Sequence, residues 1–193
     1  MKKTIMTTFL TLTLAAASHG AAPAAGGSSF TCEGGWFSIT VPEGWTQIPP
    51  SGQPASQKKV YGLDLLGPAG GDIAPSITVK YFARGNKLFK TYEKYVMVNS
   101  RPFGDPEEGE VYSKVTDARV AGKHALSFER KHFEYQKPRT VPPARTSMFE
   151  RHLVVPAGSG FYVLKFSAPF ERARDLLPAF EAVQKSFRPA KRK

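Results

Sequence analysis

The chain has 193 residues, 41% of them apolar and 22% charged, one cysteine and a formal net charge of +11. That length and apolar share suit a single domain with its own core, and a lone cysteine excludes an intramolecular disulfide framework. Beyond the N-terminus no apolar run approaches the roughly 20 residues that a bilayer-spanning helix needs, and no segment repeats at the period of a solenoid or propeller.

Residues 1–22 read as a secretory signal. Lys2 and Lys3 supply the basic start, Ile5 to Ala17 the apolar middle, and Ala17, Ser18, Gly20, Ala21 and Ala22 the small residues a signal peptidase accepts. Cys32 lies too far downstream, behind Ser29-Phe30-Thr31, to be a lipid-attachment cysteine. Removal of the leader takes two lysines and no acid, which leaves the mature chain at +9. Such a surface favours anionic partners: an acidic envelope protein, a cell-wall polymer, or peripheral contact with acidic headgroups. Export disfavours nucleic acid. The expected location is periplasmic or secreted.

Residues 23–29 form a small-residue leader, and one domain is expected over 30–189. Phe37, Ile39 and Val41 alternate with Ser38 and Thr40, a half-buried strand ended by Pro42. Trp36 and Trp45 flank it as buried anchors, and Cys32 reads as a small apolar residue on the way into it. Val60 to Leu66 is a second strand and Ile77, Val79 and Tyr81 mark a third. The glycines between them lack the Lys-Ser/Thr and following helix of a phosphate cradle, so they read as a turn. Asn86 is placed to cap a helix over Lys87 to Asn99, with Leu88, Phe89, Tyr92, Tyr95 and Val96 inward. Phe103 to Glu110 is an acidic loop without calcium-binding spacing. Val111 to Val120 and His124 to Tyr135 suggest a hairpin across Ala121-Gly122-Lys123.

Thr146 to Val155 is a further strand. Gly160 to Pro169 is the strand around which the rest is organised, because both its faces are largely apolar, with Lys165 the exception. Ala173, Leu176, Leu177, Phe180, Val183 and Phe187 then recur at helical steps. Residues 190–193 are a basic tail. Strands joined by short turns, with two separated helices, predict an α+β fold on an antiparallel sheet of six or seven strands.

The order of "FSITVPEGW", "GKHALSF", "FYVLKFSAP" and "AFEAVQKSFRP" resembles the PsbP/DcrB/Mog1-like superfamily, and more closely its small exported bacterial members. The resemblance spans about Phe30 to Pro189. It implies an α/β/α sandwich and a non-catalytic role, since members bind or help assemble other proteins. No functional motif of the family is matched, so no site residue is carried over.

No catalytic signature is expected either. The four histidines lack zinc spacing, Gly158-Ser159-Gly160 precedes a strand rather than a helix, and no cofactor motif is present. An exported hydrolase using two carboxylates that meet in space is the alternative reading. The pattern that points to binding is basic and aromatic: Arg130, Lys131, Phe133, Tyr135, Lys137, Arg139, Arg145 and Arg151. Aromatic rings among cations can dock an acidic polymer or protein, and Pro138, Pro142 and Pro143 keep Lys137 to Arg145 out of a sheet interior.

Overall fold

The structure, a computed structural model, describes residues 27–49, 58–135 and 144–190. The expected signal segment, the prolines of the basic arm, Lys137, Arg139 and most of the basic tail lie outside them.

Among the described residues the main sheet is antiparallel, with β3 (Thr46–Ile48), β4 (Val60–Leu66), β5 (Ser76–Ala83), β10 (Gly160–Pro169), β9 (Arg145–Ala157), β8 (Lys123–Tyr135) and β6 (Val111–Tyr112) side by side in that order. β7 (Thr116–Val120) lies beside β6 along the same outer edge of β8. The segment read as one strand from Val111 to Val120 is therefore two. The break follows Ser113, whose amide still donates to the Glu129 carbonyl at 2.9 Å while its hydroxyl accepts from the Glu129 amide at 2.8 Å in place of a backbone carbonyl. A second, three-stranded sheet joins β1 (Ser28–Thr31), β2 (Phe37–Val41) and β11 (Arg188–Pro189). Arg188 and Pro189, the last residues of the expected domain, are thus paired with Ser38 and Phe37.

β10 is the central strand. Leu164 faces Val79 of β5 on one side and Leu153 of β9 on the other. Its even-numbered residues Tyr162, Leu164, Phe166 and Ala168 join the larger core with β2 and the C-terminal helix α2 (Phe170–Ser186), which contributes Ala173, Phe180 and Val183. Phe161 and Val163 point the other way, into a smaller core closed by helix α1 (Tyr92–Asn99) through Tyr95. Each large side chain fully buried here contributes about 1.5–3 kcal/mol. The sheet is covered on both faces, as an α/β/α sandwich requires. Trp45 is buried, and Trp36 stacks on Tyr81 with ring centroids 4.2 Å apart.

Helix α1 starts later than Asn86 suggests. The Asn86 side chain accepts from the Phe89 amide at 2.7 Å and donates to the Ala83 carbonyl at 3.0 Å, which fixes a bend. Thr91 is the true cap, its hydroxyl accepting from the Lys94 amide at 3.3 Å. Leu88 accordingly stays exposed instead of joining the core.

Candidate functional site

The register divides the basic and aromatic candidates between the two faces of the sheet. On β8 and β9, Arg130 and Glu150 are cross-strand partners, as are Lys131 and Phe149, Phe133 and Ser147, and Tyr135 and Arg145. Alternation then sends Arg130 to the α1 face and Lys131, Phe133, Tyr135, Arg145 and Arg151 to the α2 face.

Arg130 is not a surface cation. Its Nε lies 2.5 Å from the carboxylate of Glu150, which is 2% exposed. Lys165 Nζ reaches the same carboxylate at 3.2 Å and His152 Nε2 at 3.0 Å. His132 Nε2 stands 3.6 Å away, at the edge of hydrogen-bond reach. Burial pushes the Glu150 carboxyl up, but His132, His152, Lys165 and Arg130 together outweigh it and hold the group below the usual carboxylate range. Every group touching it is a base.

Behind His152 the relay continues: its Nδ1 lies 3.0 Å from the Tyr95 hydroxyl. An ionised Glu150 can only accept, so His152 Nε2 carries the proton and Nδ1 accepts from the phenol. Burial, partly opposed by Glu150, lowers the His152 pKa and keeps the ring neutral. Phe128 stacks on it at 4.5 Å. The Tyr95–His152–Glu150 order has the outline of a nucleophile served by a His–Glu pair. The Tyr95 pKa is raised by burial and by Glu150, and the residue is 6% exposed, so it stays a phenol. The arrangement anchors α1 to the sheet. Sequence reasoning missed it, having weighed His132 and His152 only as zinc ligands. The available signal was Lys165, a cation on an otherwise apolar strand, which demands a buried anion.

The other face carries the solvent-facing candidates. The Arg145 guanidinium lies 4.0 Å over the Phe133 ring, and Lys131 Nζ lies 4.5 Å over Phe170 at the start of α2. Val111 opposite Lys131, Tyr135 and Phe170 are each about half exposed. Arg151 is bound to Glu129 at 2.7 Å and approaches Glu181 at 3.8 Å, so its charge is satisfied within the chain. The acidic loop reaches this surface: Glu107 accepts from the Tyr135 hydroxyl and lies 3.5 Å from Arg145. Its attraction for two basic-edge groups outweighs solvation of one of its acids.

Among the described residues no group of three or more His, Cys, Asp or Glu side chains could hold a metal ion. A cavity of about 620 Å³ opens between β1 and β4. Of its carboxylates, Asp64 is engaged by Lys80 at 2.9 Å and by the Thr78 hydroxyl at 2.7 Å. Cys32 also lines it, with its thiol pushed up to about 11 by burial and Glu33, which leaves it protonated and unreactive at neutral pH.

The architecture is that of the PsbP/Mog1-like folds. The chain superimposes on cyanobacterial PsbP (CyanoP) from Synechocystis with a TM-score of 0.50 at 14% identity, covering 92% of this chain and 99% of that one. Two further solved structures are less similar. LpqN, involved in cell envelope biogenesis of Mycobacterium tuberculosis, gives 0.46 at 17% identity, over 88% of this chain and 86% of that one. The Saccharomyces cerevisiae Ran-binding protein Mog1p gives 0.43 at 10% identity, over 85% and 95%. No protein-family model and no curated protein matches the sequence.

Proposed function

We propose that the protein is an exported, non-catalytic binding or assembly factor of the cell envelope, and that the end of the β8–β9 hairpin where Tyr135 pairs with Arg145 is its contact surface. The observation that carries this reading is the cation-on-ring pair of Arg145 and Phe133, set beside a half-exposed Tyr135 and braced by Glu107. Flat rings under guanidinium groups offer apolar area and positive charge together, with little side-chain entropy left to lose on binding. The signal-like residues 1–22 and the excess of bases support an acidic envelope protein or polymer as the partner. Lys131 extends the same surface; Lys137 and Arg139, outside the described residues, are included for their charge alone, whereas Arg130 and Arg151 are spent on internal acids.

A photoreactive residue at Tyr135, activated in intact cells, should give one discrete cross-linked product that disappears with Arg145→Glu. A product equally strong from Thr116 on β7, or one indifferent to Arg145→Glu, would remove the hairpin as the contact surface.

A further inference from the structure

Helix α1 presents a second surface, on the opposite face of the sheet from the hairpin rings. Tyr92, Tyr95, Val96 and Asn99 turn inward, while Lys94, Met97 and Val98 on the helix and Arg101 just beyond its cap are exposed. Met97 is 46% and Val98 50% exposed, adjacent large apolar side chains facing water on a short helix. The bases nearby are Arg84, Lys87, Lys90, Lys94 and Arg101, all exposed, against the single acid Glu93. That acid is turned onto the Thr91 cap and the helix N-terminus, which lower its pKa. The acids that follow, Asp105 to Glu110, belong to the loop that engages the hairpin through Glu107.

We propose that this stripe rests on an anionic lipid surface, with Met97 and Val98 entering the headgroup boundary and the flanking bases pairing with phosphates. Exposed apolar side chains framed by cations fit such a surface better than they fit water. An acidic protein is the other occupant such a surface admits, since protein interfaces also set an apolar centre in a polar rim, and the outcomes below separate the two. No helix among the described residues is long and apolar enough to cross a membrane, so this contact is peripheral. The proposal is independent of the hairpin surface.

The test uses the full chain with a nitroxide at Met97→Cys, and a second version labelled at Asp175→Cys on α2. Cys32 is buried and its thiol protonated, so it leaves the labelling selective. With phosphatidylglycerol vesicles at low salt, the label at 97 should gain oxygen accessibility and lose that of an aqueous nickel complex. The label at 175 should stay aqueous. The change should vanish in ~0.5 M salt, where the Debye length falls to only a few Å, and with phosphatidylcholine alone. Lys94→Glu with Arg101→Glu should reduce the immersed fraction at least about tenfold, and Arg145→Glu should not. A label at 97 that stays in water while the chain sits on vesicles would overturn the proposal. So would equal binding to polyglutamate with no effect of Met97→Ser and Val98→Ser, since that outcome assigns the stripe to an acidic protein.

Discussion

A histidine with no solvent exposure, one nitrogen on a carboxylate and the other on a phenol, is neutral for a reason that carries a sign. In the unfolded chain His152 titrates near its ordinary 6.5, and in the fold burial lowers that value. Between the two, the unfolded state holds a proton that the folded state refuses. Stability is therefore full above about pH 6.5 and falls as the pH drops, by at most about 1.4 kcal/mol per unit. Glu150 adds its own loss below about 4.5, because its folded-state pKa is also depressed. Urea midpoints measured from pH 8 to 5 should decline, and His152→Gln should flatten that decline. A decline that persists unchanged in the variant would assign it elsewhere. Replacing Glu150 with Gln leaves Arg130 and Lys165, each about a quarter exposed, without their shared counter-ion and should cost about 1–3 kcal/mol. Tyr95→Phe leaves only the His152 nitrogen unpaired and should cost about 1–3 kcal/mol. If both variants unfolded at the wild-type urea concentration, the cluster would not be the anchor of α1.

Among the elements, β4 depends on one residue with no side chain. Gly62 has φ +151°, and a Cβ there would come within 2.0 Å of the Val79 carbonyl oxygen on β5. Gly62→Ala must separate the two strands or twist the backbone out of register, and a loss of about 2 kcal/mol or more is expected, read by thermal unfolding. A neutral result would mean that β4 is already loosely paired. The elements themselves were legible where one physical rule dominated. The two-sided apolar alternation of Gly160–Pro169 and the helical spacing from Ala173 to Phe187 gave the central strand and its covering helix directly. The start of α1 was not legible, because Asn86 and Thr91 are both good caps and only the tertiary contacts of Asn86 choose between them. The buried cluster was harder still. Glu150, His152 and Lys165 lie on two strands and Tyr95 on a helix, and their meeting is decided by register, which depends on the whole sheet.

At the scale of the whole molecule, the sandwich holds its two proposed contact surfaces apart, with the hairpin rings on the α2 face and the Lys94–Arg101 stripe on the α1 face. A protein resting on lipid through one would leave the other open toward the envelope interior. Both surfaces are basic, so raising salt should weaken both, yet only lipid contact should respond to Met97→Ser. The legible part of this arrangement was the excess of charge and the basic, aromatic composition of residues 130–151. The face each cation occupies was hidden, and it reversed the role of Arg130, which is an internal counter-ion.

The place of β10 in the sheet also has a consequence for the timing of folding. β5 closes against β10, so Val79 waits for Leu164, and β2 waits for Arg188 at the far end of the chain. The early strands can form little lasting structure until the last part of the chain is present, whereas β8, β9 and β10 form a local meander. Chains dominated by such distant pairings fold in roughly milliseconds to seconds. A nascent chain would therefore remain threadable for most of its synthesis, the condition that passage through a narrow translocation channel demands. Cutting the chain after Gly158 should leave residues 27–49 and 58–83, whose distant partners are β10 and β11, without protected amides in hydrogen exchange, and protection there would show that the early strands fold without them.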